Sequence, residues 1–211
     1  DYTSYRYPCP VDDSTVVAVK SGLKDINALV TIVHGKEKRL SYIGSINSRL
    51  DYRNGKIYWT EIVPGLRWTH ENYSVLKCYD LKEGRIKSIT PRQRYLSPSV
   101  DKNGKVAAVS RTTVDGKNQL VLVELEDGKE LFAFQVPGNA FIKELTFTDQ
   151  DEVVAVAVTD AGISLLQFTP SSGQWEELLS TASVNITSPV WKDGRIYFES
   201  GANGTNNLYC L

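Results

Sequence analysis

The stretch Ser97-Pro98-Ser99-Val100-Asp101-Lys102-Asn103-Gly104-Lys105-Val106-Ala107-Ala108-Val109-Ser110 decides the fold. A short strand ends, a polar turn containing Gly104 reverses the chain, and an apolar run follows. The same design appears four more times, at Pro10–Val19, Leu50–Trp59, Phe147–Val156 and Ser188–Phe198. In each, a turn rich in Asp, Asn, Gly or Ser precedes a β-branched or aromatic run. Asn-Gly and Asp-Gly supply the positive φ that a tight reversal needs at low steric cost. Self-similarity at a period of about 40–50 residues is the signature of a propeller or a solenoid.

Between these marks the chain reads as further short strands. After Val106–Ser110 come Gln119–Leu125, an acidic Gly turn at 126–128, Glu130–Val136 and Ile142–Phe147. The neighbouring units repeat that series, so each holds four strands. Four antiparallel strands per unit, repeated about an axis, make the blade of a β-propeller. The predicted blades run 14–52, 56–100, 105–147, 152–191 and 195–211, the last incomplete, in a single domain over 1–211. A leading strand near Tyr5–Tyr7 precedes them. Runs such as Val106–Val109 and Val153–Val158 are apolar on both faces, as expected of the first strand of a blade, nearest the axis. A solenoid of parallel strands has shorter coils and lacks these hairpin turns.

The repeat of Ser-Pro, a Gly-Lys or Gly-Arg turn and an apolar run, followed by an apolar strand and an acidic Gly turn, resembles the TolB-type propeller repeat. Ser97–Ser110 with Leu120–Gly128, and Ser188–Phe198 with Asn207–Tyr209, carry it. Cys9-Pro10 stands where these units have Ser-Pro, and the second and fourth units lack that Pro. The resemblance implies an extracytoplasmic bacterial protein, in the periplasm or at the cell surface.

Length and composition narrow the function. The 211 residues suffice for a sizeable core, and 41% hydrophobic with 23% charged residues is ordinary for a globular domain. A net charge of −1 supplies no basic field for nucleic acid, and no apolar run is long enough for a transmembrane helix. The chain begins at Asp1 and stops soon after a fifth unit starts. The expectation is a piece of a longer propeller or multidomain chain, or a five-bladed ring whose last blade borrows the first strand. Cys9, Cys78 and Cys210 read as buried free thiols, and a Cys9–Cys210 clasp near the chain ends is the alternative.

No catalytic constellation emerges. There is no Gly-x-Ser-x-Gly elbow, and His34 and His70 are the only histidines. The Asp and Glu residues cluster in turns, where they cap the backbone. No Cys or His spacing suits a metal, and no motif calls for a cofactor. One constellation is unusual. The second unit has a long connection between its first two strands, Pro64–Tyr73, which carries Arg67, Trp68 and His70. Its Thr90–Tyr95 connection carries Arg92, Arg94 and Tyr95. Alternate connections of an up-and-down blade emerge on one face, so these six residues should meet on a rim. Long loops are often functional, and Trp, Tyr and Arg dominate binding hot spots. The reading is a non-catalytic module presenting rim loops to a protein, peptide or glycan. The alternative is the substrate-gating propeller of a prolyl-oligopeptidase-type serine peptidase whose catalytic domain lies outside this chain.

Overall fold

The computed structural model describes residues 2–23, 26–46, 48–65 and 72–211. They form antiparallel sheets of the propeller-blade kind. The chain divides into two compact units, Asp1–Pro98 and Ser99–Leu211.

Unit 1 contains the first two sheets. Strands β1 (Thr3–Pro10), β2 (Thr15–Gly22), β3 (Ala28–Val33) and β4 (Lys36–Tyr42) pair in that order. Strands β5 (Asp51–Arg53), β6 (Lys56–Pro64), β7 (Asn72–Asp80) and β8 (Arg85–Ser88) pair likewise. The third sheet orders β9 (Tyr95–Val100), β10 (Val106–Thr112), β11 (Asn118–Glu124) and β12 (Glu130–Gln135), the division between units falling within β9. Unit 2 continues with β13 (Phe141–Phe147), β14 (Val153–Thr159), β15 (Gly162–Thr169) and β16 (Gln174–Ala182). A fifth sheet joins β17 (Ile186–Lys192), β18 (Arg195–Ser200) and β19 (Asn207–Cys210).

The four-stranded design of the sequence reading is present, but each sheet starts one strand earlier than the repeats suggested. Strands β5, β9, β13 and β17 open the sheets that follow instead of closing those that precede. The recurring polar turn is therefore a hairpin within a sheet, joining its first strand to its second. Asn54-Gly55 shows why: φ is 50° and 79° at the two central residues, the geometry that matches the twist of a two-residue hairpin. Where no such pair is available, a side chain holds the loop. The Asp101 carboxylate accepts the amides of Asn103, Lys105 and Val106. The Asp12 carboxylate accepts those of Ser14 and Thr15, and the Thr148 hydroxyl those of Gln150 and Glu152.

The doubly apolar runs are consequently second strands. In β6, β10 and β14 they are buried almost end to end, whereas the outer strands β4, β8 and β12 are mostly exposed. In unit 1 the core packs Val17, Val19 and Leu29 of the first sheet against Ile57, Trp59 and Tyr79 of the second. In unit 2, Ala108, Leu120 and Leu122 meet Ile142, Leu145, Ala155 and Phe168. Phe134, Phe168 and Trp175 extend that core outward, with ring centroids 4.6 and 4.7 Å apart.

Three first strands carry a residue at positive φ directly before a proline: Tyr7, Ser97 and Ser188. At Tyr7 and Ser188 the strand is also bulged. The Ser188 amide donates to Glu144 on β13 at 2.7 Å. Cys9, Cys78 and Cys210 are free thiols, so no Cys9–Cys210 clasp is formed. Cys210, expected to be buried, is exposed because it lies on the outer strand β19. No helix of the described residues is long and apolar enough to cross a membrane.

Candidate binding rim

The second sheet builds the site. Strands β6 and β7 form a ladder that ends at the pair Pro64↔Asn72, and the long connection leaves from there. The β8–β9 connection does not swing away from it. Beyond the four residues of β8 the chain stays alongside β7: the Ile89 amide donates to the Leu76 carbonyl, and the Thr90 hydroxyl accepts the Leu76 amide at 3.0 Å. Gln93 then exchanges two backbone hydrogen bonds with Ser74, at 2.7 and 2.8 Å. The Ser74 hydroxyl donates to the Tyr95 carbonyl at 2.6 Å. Ser74, Ile89, Thr90 and Tyr95 are all buried. The segment is thus clamped at both ends, leaving Arg92 and Arg94 exposed on either side of Gln93.

Gln93 thus pairs with Ser74, two residues from Asn72 at the end of the β6–β7 ladder, where the long connection begins. Tyr95 is the correction. It is 1% exposed and belongs to the core, because it is already the first residue of β9 and its carbonyl is held by Ser74. Arg67, Trp68 and His70 lie outside the described residues.

A buried polar cluster supports this end. Glu61, 8% exposed, accepts hydrogen bonds from Lys77 at 2.5 Å and from the Trp59 indole at 3.3 Å. A Cβ at Gly44 would stand 2.8 Å from the Glu61 carboxyl carbon, so glycine lets the β4–β5 connection pass close over it. That connection is tied in turn: the Ile62 amide donates to the Ser45 carbonyl, and the Ile43 amide to Asn27. The Asn27 amide group reaches the Gly44 carbonyl at 3.3 Å. Through these bonds the β2–β3 hairpin joins the same end, carrying Leu23 at 88% and Ile26 at 69% exposure. Sequence reasoning missed this pair. The available signal was two large apolar residues, Leu23 and Ile26, in the short stretch between two strand-like runs, where turn chemistry favours polar residues.

Among the described residues no group of three or more His, Cys, Asp and Glu side chains gathers as a metal site. The arrangement offers exposed cationic and apolar side chains, Arg92, Arg94, Leu23 and Ile26, on hydrogen-bonded connections.

Together the sheets define a β-propeller fold, and the fold is TolB-like. The structure of TolB from Acinetobacter baumannii superposes with a TM-score of 0.69 at 12% identity, covering 93% of this chain and 51% of that one. Hydrazine synthase from Kuenenia stuttgartiensis gives 0.74 at 12%, covering 99% and 37%. A prolyl endopeptidase gives 0.65 at 13%, covering 99% and 34%. This chain thus spans about half of TolB's length or less of each. No protein-family model matches the sequence, and no curated protein matches it.

Proposed function

We propose that the protein is a non-catalytic interaction module whose rim, at the end of unit 1 described above, contacts a protein, peptide or glycan. The observation that supports this reading is the Ser74–Gln93 double hydrogen bond, which holds the connection bearing Arg92 and Arg94 against β7, the strand that follows the long connection. Rigid presentation lowers the ordering cost of binding. Trp68, Arg67 and His70 on the long connection complete the proposed contact, with Arg92 and Arg94 opposite. The TolB-like fold supports an extracytoplasmic setting, the periplasm or cell surface of a bacterium.

Cross-linking tests it. A photoreactive phenylalanine analogue replaces Trp68 or, as a control, Lys38 on the outer strand β4, and the protein is irradiated in its source cells. A discrete adduct from position 68, lost on Arg94→Ala and absent from position 38, is expected. Equal labelling from both positions, or none from position 68, refutes the rim.

The likeness to a prolyl endopeptidase favours a second reading, a substrate-gating propeller that works beside a serine peptidase domain. A fluorophosphonate probe on the protein recovered from its source separates the two. Labelling of the same polypeptide selects the gating role, and no labelling selects the module.

A further inference from the structure

The first four sheets have four strands each, whereas the fifth ends at its third, β19. The edge it leaves differs in chemistry from the other outer edges. β4 carries Lys36–Arg39, β8 carries Arg85 and Lys87, β12 carries Glu130, and β16 carries Glu176 and Glu177. Charges on an edge strand keep other strands from pairing with it. β19 carries none, and no charged side chain occurs from 201 to 211.

The register shows what the edge offers. Ile196 and Leu211 exchange two backbone hydrogen bonds, at 3.1 and 2.9 Å, so Leu211 turns its amide and carbonyl towards β18. Antiparallel ladders alternate, and here Phe198 pairs with Tyr209 and Glu199 with Leu208. Tyr209 therefore bonds inward too, whereas Leu208 and Cys210 direct their N–H and C=O groups to the open edge. Their side chains share one face of the sheet, opposite to that of Tyr209, which stacks on Phe198 at 5.8 Å. Val190, Tyr197 and Cys210 align across the first of these faces, with Arg195 and Glu199 of opposite charge to either side. The row is open: Val190 is 40% and the neighbouring Leu208 70% exposed.

An edge of this kind matches itself. When two copies of β19 run antiparallel with Tyr209 opposite Tyr209 of the second copy, Leu208 of each meets Cys210 of the other. Both residues have outward backbone groups, so each such pair exchanges two hydrogen bonds. The tyrosines form a non-hydrogen-bonded pair, the kind in which side chains come closest and aromatic pairs are favourable. Leu208 and Cys210 of both copies fall on one face and extend its apolar row. A charged edge meeting its own copy would oppose like charges, and β19 brings none together.

We propose that the protein forms a two-fold homodimer through β19, the fifth sheets of two copies joining into one continuous sheet of six strands. The symmetry closes the contact after two copies, and its small extent makes the dimer transient. It is independent of the rim on unit 1.

Sedimentation velocity of the full chain, sampled up to about 1 mM to suit a small contact, tests this. The weight-average mass should rise with concentration from 23.5 kDa towards twice that. Leu208→Pro deletes one outward N–H per copy and no bond of the β18–β19 ladder, a place where an edge strand tolerates proline. It should raise the dimer Kd about thirtyfold, the scale of two hydrogen bonds. Leu208→Lys, which keeps the backbone intact, should also weaken the dimer, and less so at high salt. Leu208→Cys places a thiol opposite Cys210 of the second copy, where Cα atoms about 5.5 Å apart suit a disulfide. Oxidation with copper–phenanthroline should therefore give a covalent dimer on a non-reducing gel much faster than with wild type. A mass that stays at 23.5 kDa throughout overturns the proposal, as does a dimer unmoved by both Leu208→Pro and Leu208→Lys. If Leu208→Pro lowers the urea midpoint, Leu208→Lys alone decides. Wild type that cross-links through Cys210 as fast as Leu208→Cys overturns the register.

Discussion

Replacing Lys77 by Met removes the cation that holds the Glu61 carboxylate beneath the rim. The side chains are 21% and 10% exposed, so the pair lies between two regimes. Exposed pairs contribute roughly 0–1 kcal/mol, whereas breaking a buried one costs about 3–5 kcal/mol. An intermediate cost of about 2 kcal/mol is expected for Lys77→Met, because Glu61 keeps only the 3.3 Å indole bond to Trp59. Glu61→Leu should cost about as much, stranding the Lys77 ammonium. The double variant leaves no half-buried charge, so it should cost about 2.5 kcal/mol and not the sum, a coupling of about 1.5 kcal/mol. Urea unfolding read by far-UV circular dichroism and tryptophan fluorescence measures this, given an unchanged slope. Gly44→Ala approaches the same carboxylate from the other side. Its Cβ would stand 2.8 Å from the Glu61 carboxyl carbon and force it off its partners, costing about 1–2 kcal/mol. A coupling below about 0.3 kcal/mol, within ordinary additivity, would refute the claim that Glu61 and Lys77 act as a unit.

Other outcomes follow from particular contacts. Glu144→Ala should destabilise unit 2 by about 1 kcal/mol, because the Ser188 amide loses its carboxylate partner; Glu144→Gln, which keeps an acceptor, should cost less in the same urea assay. Gly55→Ala should cost about 1 kcal/mol through backbone strain alone, since φ is +79° and nothing lies within 4 Å of an added Cβ. A maleimide should modify exposed Cys210 in the folded protein and reach Cys9 and Cys78 only after denaturation, because burial raises both thiols, Cys9 to about 12. Backbone amides of the turns they close hold Asp12 and Asp80 below the usual carboxylate range, and a Lys20 hydrogen bond does the same for Glu37. Their folded values are depressed, so their stabilisation is present above the unfolded carboxylate value and is lost as pH falls through the folded ones. The urea midpoint should therefore hold from neutral pH to about pH 5 and fall below about pH 4, and Asp12→Asn should flatten that fall.

The repeat was legible because its parts are local. Asn54-Gly55 and Asp193-Gly194 state their backbone geometry in two residues each, and the β-branched and aromatic runs after them read as strands. That β6–β7 and β8–β9 are joined at the same end of the sheet was legible too, since strand alternation fixes it. What the sequence left open was the phase of the repeat. A hairpin turn within a sheet and a link between sheets use the same residues, and pairing energy between distant strands decides which is which. Tyr95 shows the consequence: as a loop residue it would face the partner, but as the first residue of β9 it is buried. Glu61 reads as one more surface acid in a strand. Only the approach of Lys77 from β7 and of Gly44 from the β4–β5 connection, beside Trp59 of its own strand, turns it into a buried support. The sequence by itself determined the strand unit and its turns, because those depend on φ and on alternation over a few residues. Tertiary structure alone decided the sheet boundaries, the buried polar cluster and the pairing that holds Arg92 and Arg94 in place, because each depends on contacts between residues far apart in the chain.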